Sequence, residues 1–184
     1  MLKHFFFIVL FIVLSSMKGY GQTWAVKINL PEIITTTFNL GTEVRLSEQY
    51  SLNLTGSLNP WTFSENRKFQ HWIIRPEGRY WLDKTFNGHF FGVHAFHGRF
   101  NAGGISILGL KKERREGNFT GGGFSYGYLW HLSGNWNLEA TAGLGYAYQD
   151  YKRFACEKCG ESKGKGTKNY IGPTNIGVNL IYAF

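Results

Sequence analysis

Apolar residues recur at every second position through most of the chain beyond residue 22. That spacing puts one set of side chains on each face of an extended strand. The last segment shows it most clearly. Ile176, Val178, Leu180, Tyr182 and Phe184 share one face, and Asn175, Gly177, Asn179, Ile181 and Ala183 share the other. Upstream, Trp24, Val26, Ile28 and Leu30 alternate with Ala25, Lys27 and Asn29, and Phe38, Leu40, Val44 and Leu46 with Asn39, Gly41, Glu43 and Arg45. Tyr50, Leu52, Leu54 and Leu58 alternate with Ser51, Asn53, Thr55 and Ser57, while Trp72, Ile74, Tyr80 and Leu82 face away from Arg75, Glu77 and Arg79. The pattern returns at Tyr126, Tyr128, Trp130 and Leu132, and again from Trp136 to Tyr148. Residues 89–100 carry Phe on both faces and read as a strand because Gly92, His94 and Gly98 fit an inward face.

The connections alternate as well. Segments 47–49, 83–87 and 133–135 are short, while 31–37, 61–70, 101–118 and 151–168 are long. Short turns at one end and long loops at the other are the plan of an outer-membrane barrel. Hydrocarbon offers no partner for backbone N–H and C=O groups, so a strand-built span must close and leave no edge. The expectation is therefore an all-β protein, a closed antiparallel up-and-down membrane β-barrel of about eight strands. An even strand number places both termini on the periplasmic side and the long loops outside the cell.

The first residues follow another rule. Lys3 and His4 precede an uncharged apolar run over 5–14, and small and polar residues lead to Gln22. This is the order of a secretory signal peptide, and the run is too short for a helix of about 20 residues to span a bilayer. Residues 1–21 are expected to be the signal and 22–184 the barrel domain, located in the cell outer membrane. Aromatic residues at 17% and 24 glycines fit that class better than a soluble core rich in Leu, Ile and Val.

The net charge is +8, of which Lys3 and Lys18 contribute two, leaving +6 for residues 22–184. A nucleic-acid binder would gather such charge on one helix or stripe. Here much of it lies in Lys111-Lys112-Glu113-Arg114-Arg115 and in the run 163–168, both in expected loops. Nucleic acid is excluded as a partner. Membrane lipid, the barrel-insertion machinery and a surface protein or glycan remain, beside the plain reading of solvated loops. A second charged set falls on the inward stripe: Lys27, Glu43, Arg45, Arg75, Glu77, Arg79 and Glu139. Eight strands enclose a space that side chains fill, so these residues predict a plugged interior of paired charges. An ion path or narrow pore is the competing reading.

Cys156 and Cys159 lie two residues apart in the last long loop. In an oxidising compartment such a pair forms a small disulfide. A zinc site ranks second, since further ligands are missing nearby. Redox chemistry ranks third, since no helix start is present to activate a thiol. His94 and His97 are three apart and face opposite sides of a strand, so they cannot share a hydrolytic site. No catalytic residue, cofactor or metal is assigned. The expected role is non-enzymatic, with surface binding through Trp61, Phe63, Lys163, Lys165 and Lys168; the alternative is an outer-membrane lipid-modifying enzyme.

Several stretches are specific in combination. They include Leu58-Asn59-Pro60-Trp61-Thr62-Phe63-Ser64, Arg75-Pro76-Glu77-Gly78-Arg79-Tyr80-Trp81, Phe86-Asn87-Gly88-His89-Phe90-Phe91-Gly92, Cys156-Glu157-Lys158-Cys159-Gly160 and Lys168-Asn169-Tyr170-Ile171-Gly172-Pro173-Thr174. With them, nearly the whole chain beyond the signal resembles a family of outer-membrane proteins of Bacteroides-like bacteria, classed as a domain of unknown function. The resemblance implies a small barrel with the two-cysteine loop as a family feature. The final strand, ending on Phe184, is similar to the C-terminal strand recognised by the insertion machinery.

Overall fold

The computed structural model describes residues 22–62, 68–105, 110–154 and 162–184. The signal assignment for 1–21, Phe63, Cys156 and Cys159 lie outside the described residues. The elements run β1 (Trp24–Asn29), α1 (Leu30–Ile34), β2 (Phe38–Arg45), β3 (Tyr50–Asn59), β4 (Lys68–Trp81), β5 (Gly88–Ile105), β6 (Leu110–Ser133), β7 (Trp136–Phe154) and β8 (Ser162–Ala183). Each strand pairs antiparallel with the next, and β1 pairs with β8, so the sheet is a closed barrel in sequence order.

The period-two pattern determines which way each side chain points. On β5, Phe90, Gly92, His94, Phe96 and Gly98 are buried, while Phe91, Val93, Ala95 and His97 are exposed. The ambiguity of this segment resolves because an inward Phe finds a glycine opposite it. Phe90 pairs with Gly127 and Phe96 with Gly121, and a Cβ on Gly127 would meet the Phe90 ring and come within 2.8 Å of the Ala140 carbonyl. Gly127→Ala is therefore expected to cost about 1–3 kcal/mol, as overpacking does in tight interiors. Denaturant unfolding of the refolded variant measures this, and an unshifted midpoint would show that the Phe90 ring relocates freely.

Strand length departs from expectation. Segments 101–118 and 151–168 are largely strand rather than loop. The hairpin of β5 and β6 keeps its register out to Gly103 and Arg114, and that of β7 and β8 runs out to Phe154 and Ser162. Lys163, Lys165 and Lys168 thus stand on β8, and Arg114 and Arg115 on β6. Charged residues hide the strand signal because a hairpin beyond the apolar zone is held by its backbone ladder. It needs no alternation of apolar side chains. Segment 31–37 likewise holds α1, whose five residues are too few to show a helical period. Among the described residues no helix is long and apolar enough to cross a membrane.

The strands are unequal. β1 to β3 have 6, 8 and 10 residues, whereas β5 to β8 have 18, 24, 19 and 22. One wall is low and the opposite wall tall. The start of β1 meets the C-terminal residue at the base, where Thr23 and Trp24 both donate backbone hydrogen bonds to the Phe184 carbonyl at 3.0 Å. An apolar cluster of Trp81, Phe86, Phe90, Leu129 and Ile181 closes the base from inside. Phe86 belongs to the turn between β4 and β5 and has φ +68°. A bulky residue holds the left-handed region only under compulsion. The compulsion here is packing: the Phe86 ring meets Trp81 edge-on at 6.1 Å.

Candidate functional site

Above the apolar base lies a buried charge cluster. Lys27 comes from β1, Glu43 from β2, Glu77 and Arg79 from β4, and Glu139 from β7, each at an inward position of its strand. The Lys27 ammonium reaches Glu43 at 2.6 Å and Glu139 at 3.2 Å. The Arg79 guanidinium reaches Glu77 at 2.7 Å, Glu43 at 3.0 Å and Glu139 at 2.7 Å. Gly41 stands opposite Lys27 in the ladder, and the lysine stem lies across it: a Cβ there would sit 2.6 Å from Lys27 Cγ.

Neutral donors complete each carboxylate. Ser51 donates to Glu43 at 2.5 Å, Asn53 to Glu77 at 3.0 Å, and Ser125 donates to Glu77. Thr141 and Asn179 donate to Glu139 at 2.9 and 2.8 Å. The Arg79 guanidinium also stacks over the Phe90 ring at 4.2 Å, and Trp81 Nε1 donates to Ser51 at 2.8 Å. These contacts tie the charge cluster to the base. Burying ions is costly, and such a cluster holds only when every member is both paired and hydrogen-bonded.

Five of the seven charged residues picked from the inward stripe therefore meet in one network, and two stand apart. Arg45 is at the last position of β2, where the wall ends; its Nε donates to the Ser47 carbonyl at 3.2 Å. Arg75 lies higher, donating to the Thr174 carbonyl at 3.4 Å, and lines a small polar cavity of about 30 Å³ with Asn29, Glu32, Asn53, Ser57 and Asn175. That volume suits a water or two.

The mouth above the cavity is covered on the low-wall side. The Ser57 hydroxyl donates to Glu32 of α1 at 2.6 Å, Asn59 to Thr37 at 3.0 Å, and Trp61 Nε1 to the Thr36 carbonyl at 2.9 Å. Trp61, picked as a loop contact, thus anchors this lid, and its ring sits 5.8 Å from Phe38. Lys163, Lys165 and Lys168 are exposed on the tall wall. His94 is buried with Nε2 at 2.9 Å from Thr174 Oγ1, and His97 is exposed with Nδ1 at 2.7 Å from Thr120 Oγ1.

Part of this site escaped the reading of the sequence. Trp81 and Phe90 lie two positions from Arg79 and Gly92, so extending the same stripes finds them. Glu32 and Phe86 sit in connections, where no period applies.

Together these features define a class: an eight-stranded, up-and-down closed sheet with a charged, side-chain-filled interior. Residues 5–184 match the family described as protein of unknown function (DUF3575), and the chain belongs to that family. No curated protein and no solved structure matches the chain.

Proposed function

We propose that the chain is an integral barrel of the bacterial outer membrane with a plugged, non-conducting interior. Its tall wall and lid end would bind a surface protein or glycan rather than catalyse a reaction. The observation that carries this reading is the outward face. Leu40, Leu52, Leu54, Ile74, Val93, Phe124, Leu144 and Ile176 are large, apolar and exposed around the barrel. A protein in water does not leave a continuous apolar surface of this extent. Hydrocarbon requires one, flanked by aromatic rings at both boundaries. Toward the base stand Tyr50 against Tyr80 at 5.3 Å, Tyr128 against Trp130 at 4.7 Å and Trp136 against Tyr182 at 5.1 Å. Toward the mouth stand Phe38, Trp61, Trp72, Tyr146 and Tyr148, all exposed.

The interior supports the plugged reading. Apolar base, paired charges, a cavity of about 30 Å³ and the lid follow one another along the axis. The chain ends would lie in the periplasm and the tall wall outside the cell. Purified full-length chain, refolded with lipid vesicles, is expected to float with them and to give no discrete conductance steps in a planar bilayer. Failure to float removes the membrane reading; reproducible steps replace the plug with a narrow pore. Cross-linking on intact cells through the exposed lysines of β8 then tests for a surface partner.

A further inference from the structure

The outward face of the tall wall changes character abruptly above Tyr148. In the ladder of β7 and β8, Tyr148 faces Asn169, Asp150 faces Thr167, and Lys152 faces Lys165. Two lysines directly opposite each other place like charges about 5 Å apart at Cβ, which destabilises a sheet. Among the described residues neither ammonium has an ion-pair partner. Both line a shallow recess of about 400 Å³ together with Arg99, Glu116, Asp150 and Thr167. Arg99 and Glu116 neutralise each other at 2.5 Å, so Lys152 and Lys165 face the single carboxylate of Asp150. Arg114, further out, is engaged over the Phe154 ring at 4.1 Å.

Height narrows the occupant. Lys152 lies four residues beyond Tyr148. At roughly 3.3 Å per residue and a tilt of about 40°, that is about 10 Å above the aromatic ring. The recess therefore stands at the level of lipid headgroups, and directly below it are Tyr146, Tyr148 and Ile171, the last 84% exposed. A molecule with its phosphate in the recess would lay its chains against these side chains.

We infer that Lys152 and Lys165 form a site for the phosphate of an anionic lipid of the surrounding membrane, bridged between the two ammonium groups. The inference rests on the membrane reading above. The test uses full-length chain in phosphatidylcholine vesicles that carry a trace of spin-labelled phosphatidic acid or spin-labelled phosphatidylcholine. The motionally restricted fraction gives the relative association of each lipid. The wild-type chain is expected to prefer phosphatidic acid, by about fivefold for each lysine engaged. The double variant K152Q/K165Q should lose the preference and K152R/K165R should keep it, while Lys84→Gln in the opposite, base-side turn should leave it unchanged. Preference persisting in K152Q/K165Q overturns the site. If inorganic phosphate abolishes it at an ionic strength where sodium chloride does not, the recess takes the free ion and the lipid site is overturned. A chain that does not float with vesicles overturns the membrane reading and this one together. A chain that floats but shows no preference overturns this one alone.

Discussion

Arg79→Met is expected to be the most damaging single substitution in the barrel, costing about 3–5 kcal/mol. Among the described residues, Arg79 alone touches all three buried carboxylates of the cluster. Without it, Lys27 still serves Glu43 and Glu139. Glu77 keeps only neutral donors, Asn53 and Ser125. An unpaired buried charge is far more costly than a surface one, and the whole stability of a domain is only about 5–15 kcal/mol. Denaturant unfolding of chain refolded in micelles measures the loss. Adding Glu77→Gln to Arg79→Met should recover part of it, since the carboxylate left without a cation is neutralised. A double variant no better than the single would mean that the damage comes from lost packing against Phe90 and not from charge.

Val93→Arg separates a membrane barrel from a water-soluble one. Val93 is an outward residue 60% exposed, in ladder register with Phe124, which in turn pairs with Leu144. In water an exposed valine replaced by arginine shifts stability by no more than about 0.5 kcal/mol. Near the middle of a bilayer the same change costs about 2–4 kcal/mol. Reversible folding into vesicles reads the difference directly. Ser133→Arg, exposed at the base-side end of β6, serves as the control and is expected to be near neutral. Equal, small effects at both positions would remove lipid from around Val93.

The fold was legible where side-chain alternation is enforced by two different surroundings, and illegible where it is not. Within the apolar zone each strand must separate its faces, so Lys27, Glu43, Glu77, Arg79 and Glu139 could be placed inward from spacing alone. Their convergence followed from the up-and-down order, because a narrow barrel leaves inward charges nowhere else to go. Beyond that zone both faces of a hairpin meet water, and the runs containing Arg114, Arg115, Lys163 and Lys165 carry no mark that tells strand from loop. Arg45 kept the parity of Glu43, yet β2 stops there, so its guanidinium turns to the rim. Phe86 was hidden for a different reason. Turn chemistry predicts a small residue at positive φ, and only the ring of Trp81, already in place, makes a phenylalanine worth its strain.

The unequal strands also decide where the cylinder is mechanically weakest. The seam of β1 with β8 is registered only from Ala25 to Asn29, and β1 with β2 only from Trp24 to Lys27. By contrast, β7 and β8 stay paired from Trp136 to Phe154, through two register shifts. Pulled or heated, the cylinder should part along β1, and amide protons there should exchange with deuterium before those of β6 and β7. A cylinder hinged on its strongest hairpins and latched by its shortest strand can open like a cuff, sideways, without disturbing the tall wall.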